Sequence, residues 1–252
     1  MGALSNLRAL ARGPRPEGRL RLRARIVATY PFGARLYATI RFAILRTNIL
    51  SVLDVLLPEE GRILDVGCGF GLLAGYFAAQ SPRRRVTCID REAARIAHAA
   101  RMAETLGLPA SFVVGDATDL PAGEVFDAAY AVDLLHHVPA AEHADVLRRL
   151  HARLVPGGLL LVKEIGTQPF PKLAFTWALD RVMAPRDALS YRRPEDWAAL
   201  LAEAGFEVRV RELDDVLPYP HVLLVCRRVE RPAPALAPGG QRGSPGGAGQ
   251  TE

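Results

Sequence analysis

Short apolar runs alternate with amphipathic stretches through the middle of the chain. Five of these runs are rich in apolar and β-branched residues, as is typical of strands covered on both faces of a sheet. They span 62–66, 85–90, 110–114, 126–132 and 159–165. Between them we predict helices over 72–79, 91–106 and 142–154. The alternation of strand and helix indicates an α/β fold with a mostly parallel sheet.

Further elements are predicted at both ends of this pattern. A helix over 194–204 precedes two strands, 206–213 and 221–229, which we expect to pair antiparallel at the sheet edge. The predicted fold class is therefore α/β, a doubly wound, mostly parallel seven-stranded Rossmann-like sheet with an antiparallel last strand. Ahead of it, residues 19–57 mix arginines with apolar positions, which predicts an N-terminal helical cap of two or three helices broken near Pro31.

One turn in the pattern is suited to close contact with a ligand. After the first strand the chain runs Gly67-Cys68-Gly69-Phe70-Gly71, and Asp65 lies two residues before the first glycine. Glycine has no Cβ and tolerates positive φ, so the turn can be tight and can present bare backbone amides. This position, at the carboxyl end of the first strand, is where open α/β sheets bind their ligands.

Two kinds of ligand are considered for this turn. A dinucleotide-binding turn has the spacing G-x-G-x-x-G and holds a pyrophosphate, but here Leu72 occupies the sixth position and Asp65 would repel phosphate. An acid suits S-adenosylmethionine, which has a cationic sulfonium, an amino group and no phosphate. Asp90 ends the second strand about 20 residues on, as expected of a carboxylate that binds ribose hydroxyls. The alternatives are a turn that only packs helix on strand, and an N-cap role for Asp90.

The segments around the strand ends form an ordered set of motifs. They read LDVGCGFG, CID, GDATDLP, FDAAYAVDLLHHVP and LVPGGLLLVKEI. Together they resemble the class I S-adenosylmethionine-dependent methyltransferase family, most of all its small-molecule branch, which includes the ubiquinone and menaquinone methyltransferases. The resemblance extends over about residues 56–228.

The resemblance implies a role for each motif. The first acid and the glycines would hold the methionine end of S-adenosyl-L-methionine, the second acid the ribose, and the third motif the adenine. Residues at the end of the fourth strand would line the pocket. The implied cofactor-binding residues are Asp65, Gly67, Cys68, Gly69, Asp90, Arg91, Asp116, Ala117, Val132 and Asp133. Capping of a turn by Asp116, and a solvated helix start at Asp133, are the alternatives.

Two histidines are the candidates for acid–base chemistry. Methyl transfer mostly requires alignment of acceptor and methyl group, but phenols, enols and carboxylates need a base unless they arrive ionised. His136 and His137 follow the fourth strand, and a histidine can take a proton near pH 7. Only one of two adjacent residues can face the pocket; we favour His137 and retain both, with Glu164 secondary. A packing role is the alternative. We predict no metal ligands, although a site assembled from loops stays open.

Arginines are concentrated at the start of the chain. The net charge is +5, yet the first 48 residues hold ten arginines and one acid, so the remainder sums to −4. Three interpretations of this segment stay open. It binds an anionic membrane surface, it contacts nucleic acid, or it is the solvated face of a helix. Three cysteines without metal-ligand spacing, and no apolar run of membrane-span length, predict a cytoplasmic protein, peripheral to a membrane if the arginines bind one.

These observations divide the chain into four parts. They are a flexible basic start (1–18), the helical cap (19–57), a methyltransferase domain (58–230) with an acceptor-side insertion (166–193), and a disordered tail (231–252). The expected activity is methyl transfer to oxygen or carbon of a small, apolar acceptor that is lipid-, quinone- or polyketide-like. The alternatives are a non-catalytic cofactor-binding partner protein, a nicotinamide oxidoreductase and a nucleic-acid methyltransferase; no nucleic-acid partner is expected.

Overall fold

A seven-stranded sheet forms the centre of the molecule, in a computed structural model that describes residues 16–116, 123–183, 188–213 and 220–230. The strands are β1 (Gly61–Val66), β2 (Arg84–Asp90), β3 (Ala110–Val114), β4 (Phe126–Val132), β5 (Leu154–Ile165), β6 (Phe206–Leu213) and β7 (His221–Arg228). The helices are α1 (Pro16–Ala28), α2 (Phe32–Leu56), α3 (Leu72–Gln80), α4 (Ala93–Leu106), α5 (His143–Arg153), α6 (Phe170–Met183) and α7 (Pro194–Glu203), with a short 3-10 helix at Leu135–His137.

The order of the strands places a ligand crevice at the centre of the sheet. That order is β3-β2-β1-β4-β5-β7-β6. Strands β1 to β5 pair in parallel, whereas β7 is antiparallel to both of its neighbours. This confirms the predicted mixed sheet with an antiparallel last strand. The chain builds β2 and β3 on one side of β1 and β4 on the other, so the carboxyl ends of β1 and β4 flank the switch point where such sheets bind ligands.

Each face of the sheet has its own apolar core. On one face, Trp197 of α7 and the apolar side of α5 pack against β4, β5 and β7. On the other, Ile26 of α1 and Leu45 of α2 are fully buried in one cluster with Phe77 and Tyr130. The two N-terminal helices therefore share a core with the sheet. None of the helices within the described ranges is long and apolar enough to cross a membrane.

Two predicted boundaries were wrong for local reasons. Helix α4 begins at Ala93 with Glu92 as its N-cap, two residues later than predicted, because Asp90 accepts a hydrogen bond from the Glu92 amide (2.9 Å) and holds the backbone in a turn. Strand β5 begins at Leu154 instead of residue 159. Its first residue pairs with Phe126, and the β4–β5 register then shifts, so that the Pro-Gly-Gly segment bulges out within the strand.

Several predictions fall on parts of the chain that the structure does not describe. Residues 1–15, which form most of the predicted flexible start, and the predicted tail over 231–252 lie outside the described residues. The same holds for Ala117, the predicted backbone contact to adenine.

Candidate active site

The turn between β1 and α3 has the backbone geometry that its glycines predict. Gly67 and Gly69 both have positive φ, 71° and 54°. A Cβ on Gly67 would collide with the side chain of Leu134, so close packing against the loop after β4 requires glycine there. A Cβ on Gly69 would meet no protein atom within 4 Å, and Gly69 lines a cavity. The turn thus packs on one side and leaves room for a ligand on the other.

Asp90 fixes this turn from the end of β2. Its Oδ2 accepts a hydrogen bond from the Gly69 amide (2.8 Å), and its Oδ1 accepts the one from the Glu92 amide described above. The residue is buried and borders the cavity. Each carboxylate oxygen has a second lone pair, so Asp90 can also accept hydrogen bonds from two hydroxyls of a ligand.

Asp65, near the end of β1, is a buried carboxyl with an unusual pKa. Burial raises its pKa to about 8, although the hydroxyl of Tyr130 donates a hydrogen bond to Oδ2 (2.9 Å). Tyr130 is neutral, so none of the described residues that contact Asp65 supplies a cation to balance its carboxylate form. An ammonium group in the cavity would supply one and would favour ionisation.

Asp133, directly after β4, is held by two cations. It has a positive φ of 52°, which is uncommon for a residue other than glycine. Arg41 of α2 donates to one oxygen at 2.7 Å, and Lys163 of β5 donates to the other. Burial alone would raise the pKa of Asp133, but these two cations hold it well below its usual range. The charge of Asp133 is therefore balanced within the protein, unlike that of Asp65.

His136 lies at the centre of a buried network. Its Nδ1–H donates to Glu164 (2.6 Å), and its Nε2 lies 3.5 Å from Asp180 of α6. The ring of Tyr191 stacks on the imidazole, and the Tyr191 hydroxyl donates to Asp180 (2.6 Å). Burial alone would lower the pKa of His136, but Glu164 and Asp180 raise it to about 10. The imidazolium is thus the favoured form of His136 at neutral pH, and this form has no free lone pair on its ring nitrogens with which to accept a proton.

His137 is half-buried beside this network. The centroid of its ring lies 4.2 Å from that of His136, and the residue borders the cavity. Together with Asp180, the two histidines place one potential metal ligand each within 4.8 Å of one another. Such a cluster, assembled from a loop and a helix, is the kind that the sequence analysis left open. When His136 is an imidazolium, its second proton is on Nε2, the nitrogen that faces Asp180. A protonated ring nitrogen has no free lone pair for a metal ion.

A single cavity of about 670 Å³ gathers the predicted site, and this volume is within the range of ligand pockets. The predicted cofactor-binding residues within the described ranges and both candidate histidines border it: Asp65, Gly67, Cys68, Gly69, Asp90, Arg91, Asp116, Val132, Asp133, His136 and His137. Glu164, the secondary candidate base, is not part of the lining and binds His136. Tyr37 of α2 also borders it. Tyr30, between α1 and α2, instead packs in the core and donates a hydrogen bond to the carbonyl oxygen of Phe70.

The charged cavity residues that the sequence did not single out include Arg41 and Lys163. Arg41 is one of ten arginines in its segment, so nothing local marks it out. Lys163 gave a detectable signal, since it is one of only two lysines in the chain and lies next to Glu164 in an otherwise apolar run over 159–165. Charged residues inside a buried strand require partners, and here Lys163 binds Asp133 while Glu164 binds His136.

Comparison with known proteins agrees with this geometry. A methyltransferase domain family model matches residues 63–158. The ubiquinone biosynthesis O-methyltransferase of Paramagnetospirillum magneticum is 32% identical over 163 residues, which are 60% of this chain and 62% of that protein. The ubiquinone/menaquinone biosynthesis C-methyltransferase UbiE of Paracoccus denitrificans is 30% identical over 187 residues, 62% of this chain and 70% of that protein.

A solved structure supports the same assignment at the level of the fold. The S-adenosylmethionine-dependent methyltransferase from Methanosarcina mazei has a TM-score of 0.58 and 23% identity, covering 71% of this chain and 98% of that chain. The chain spans 62–64% of the length of three curated O-methyltransferases that it matches. With the glycine turn, the acids at the ends of β1 and β2 and these matches together, the chain belongs to the class I S-adenosylmethionine-dependent methyltransferases.

Proposed function

We propose that the protein transfers a methyl group from S-adenosyl-L-methionine to oxygen or carbon of a small, largely apolar acceptor. The observation that carries this proposal is the convergence of eleven predicted site residues on one cavity at the switch point of the sheet. An alternative in which the glycine turn only packs helix on strand does not account for the open side of Gly69.

The residues present fit this cofactor. Asp65 is the buried carboxyl that lacks a cation, and it suits the ammonium of the methionine end. Asp90 suits the ribose hydroxyls, with Arg91 beside it, and Asp116 suits the exocyclic amine of adenine. When bound, the cofactor supplies an electrophilic methyl group on a sulfonium. The protein's contribution is to hold that group in line with the acceptor and to exclude water.

Apart from the ion-paired Asp133 and the charges around His136, the acceptor side of the cavity is lined by apolar and aromatic residues. Its walls include Tyr37, Ile40 and Ile44 of α2, together with Ile165 and Leu179. Such a lining favours a lipid-, quinone- or polyketide-like molecule over a charged one. By their names, the two relatives described above act in quinone biosynthesis, one as an O-methyltransferase and the other as a C-methyltransferase. Both kinds of transfer are therefore included in the proposal.

We assign proton removal from the acceptor to His137. His136 is held as a cation by Glu164 and Asp180, so its role is to fix the position of the neighbouring ring. A ring nitrogen of His137 would accept the proton of a hydroxyl or of an activated carbon as the methyl group is transferred. An acceptor that enters already ionised would make this step unnecessary.

The helices at the cavity support a capping role for the N-terminal segment over 19–57. Arg41 of α2 binds Asp133, and Tyr37 lines the cavity, so movement of α2 would open or close the site. The acceptor-side insertion over 166–193 contributes Leu179 and Asp180 from α6. The arginine-rich N-terminus is included in the proposal as a peripheral contact with an anionic membrane.

The proposed reaction is tested with labelled cofactor and a panel of apolar phenols, enols and quinols. We expect methyl transfer to at least one of them, and His137→Gln should lower kcat by about 10²–10⁴-fold for acceptors that enter protonated. The same variant should transfer normally to acceptors with a low pKa, and it should bind S-adenosylhomocysteine as the wild type does. Tight cofactor binding without transfer to any acceptor would instead favour a non-catalytic partner protein.

A further inference from the structure

Two helices beside the cavity carry large apolar side chains on their outer faces. They are Phe32, Leu36 and Ile40 of α2 and Phe170, Phe175 and Trp177 of α6, and they expose 48–90% of their surface. We call these six residues the apolar rim. The spacing of four residues places the three α2 members on one side of that helix.

The outer face of α6 has the reverse of the usual polarity. From its start to Arg181, where burial is described, its exposed residues are Phe170, Pro171, Ala174, Phe175, Trp177, Ala178 and Arg181. A surface helix ordinarily directs charged and polar residues to solvent. Here a single arginine accompanies six apolar residues, and exposed apolar surface of this kind is typical of an interaction site.

The two helices that carry the apolar rim both contribute residues to the cavity lining. Ile40 belongs both to the rim and to the cavity lining, next to Tyr37 and Ile44 of the same helix. From the other side, α6 contributes Leu179 and Asp180 to the lining. A surface that covers the rim at Ile40 therefore lies next to the cavity.

Arginines accompany the rim on both of its helices. On α2, the exposed Arg35 directly precedes Leu36. No acidic residue lies in the sequence between Glu17 and Asp54. On α6, the guanidinium of Arg181 lies over the ring of Trp177 (5.8 Å to the centroid). Aromatic and aliphatic side chains flanked by arginines suit the boundary between headgroups and acyl chains of an anionic bilayer.

We propose that the apolar rim docks on the surface of an anionic phospholipid bilayer, so that an apolar acceptor passes from the bilayer into the cavity without crossing water. The identity of the acceptor rests on the proposed function, but the docking itself requires no methyl transfer. All six rim residues lie on α2 and α6, so the rim consists of residues other than the arginine-rich start of the chain over 1–15.

The test is co-sedimentation of the full chain with lipid vesicles. Vesicles of phosphatidylcholine alone are compared with vesicles that also contain phosphatidylglycerol. We expect binding to the anionic vesicles that weakens with added salt. The double variant Phe170→Ser, Trp177→Ser should lower partitioning by at least about tenfold, because two aromatic side chains no longer enter the interface. The matched control is Val210→Ser, Val229→Ser, which changes two exposed apolar residues away from the cavity and should bind as the wild type does.

Titration with S-adenosylhomocysteine on each variant separates this proposal from the proposed function. Absence of vesicle binding by a protein that binds S-adenosylhomocysteine would overturn the docking and leave the methyltransferase proposal intact. A dimer that dissociates in the Phe170→Ser, Trp177→Ser variant, without vesicle binding, would show that a second copy covers the rim and would equally overturn it. Vesicle binding without binding of S-adenosylhomocysteine would support the docking and contradict the cofactor assignment.

Discussion

The ionisation of Asp65 makes cofactor binding depend on pH. With a pKa of about 8, the buried carboxyl is about nine-tenths protonated at pH 7. The ammonium of a bound cofactor favours the carboxylate, so binding of S-adenosylhomocysteine should release close to one proton. Affinity should therefore rise with pH up to about 8 and then level off. Calorimetry in buffers of different ionisation enthalpy measures the released protons.

The control for this prediction is Asp65→Asn, which keeps the shape and removes the titration. It should bind S-adenosylhomocysteine more weakly, without proton release and with little dependence on pH. Wild-type binding at pH 7 that releases no proton would contradict the pairing of Asp65 with the ammonium.

His136 links stability to pH in a defined direction. Its pKa in the folded protein, about 10, lies above the ordinary value of 6.5, so the folded state binds this proton more tightly than the unfolded state does. The stability contributed is fully present below pH 6.5 and is lost as the pH rises towards 10. The free energy of unfolding, measured in urea across this range, should fall more steeply for the wild type than for His136→Asn.

Asp65 also titrates within this pH range, but it is present in both the wild type and His136→Asn. Its contribution to the free energy of unfolding therefore cancels in the difference between the two proteins. Asn at position 136 retains a donor for Glu164 but cannot be charged, so the difference between the two curves reports His136 alone. Parallel curves for the wild type and the variant would contradict an imidazolium between Glu164 and Asp180.

Individual cavity residues could be predicted from the sequence wherever a local pattern fixes their position in the fold. Asp65 and Asp90 are predictable because an acid at the end of a buried strand has a fixed place in an α/β sheet. The ionisation states are not predictable in this way. Tyr130 contacts Asp65 across 65 positions of the chain, and Lys163 contacts Asp133 across 30, so both depend on strand register.

At the scale of elements, the Arg41–Asp133 ion pair fixes α2 against the end of β4. Arg41→Met keeps the apolar stem and removes the charge, and it leaves Asp133 with Lys163 as its remaining cation. We expect the free energy of unfolding to fall by about 1–3 kcal/mol, because the lost bond is charged and largely buried. Faster hydrogen exchange of the α2 backbone amides should accompany this loss.

The matched control for this prediction is Arg83→Met, which breaks an exposed ion pair with Glu59 and Glu60. Exposed pairs contribute little, so this change should stay within about 0.5 kcal/mol of the wild type. Equal effects of the two substitutions would show that Arg41 is only a surface charge.

The elements themselves were largely predictable from apolar pattern and from glycine and proline positions. All seven strands lie where β-branched and apolar runs predict them, because a strand covered on both faces has few alternatives. The start of β5 was missed, since proline and glycine usually end a strand, and here they form a bulge inside it. The pairing of Leu154 with Phe126 sets the start of β5, and this pairing cannot be inferred from the sequence of β5 alone.

At the scale of the whole molecule, the order of strands follows from the connectivity rules of α/β sheets, which is why the fold could be predicted. The packing of α1 and α2 against the sheet could not be predicted from the sequence. Their arginines and apolar residues indicate amphipathic helices, yet only the packed structure places Leu45 and Tyr130 in one core. The same packing sets Arg41 over the cavity and exposes the apolar rim beside it.

Binding of the cofactor at the glycine turn is tested most directly by calorimetric titration with S-adenosylhomocysteine on the wild type, Gly69→Ala and Gly157→Ala. Both glycines have positive φ and open space at the Cβ position, so the two substitutions impose a similar backbone strain, but of the two only Gly69 borders the cavity. We expect micromolar binding by the wild type and by Gly157→Ala, with a loss of at least about tenfold in Gly69→Ala, where the methyl group enters the cofactor's space. Absence of binding by the folded wild type, or an equal loss in both variants, would contradict binding at this turn.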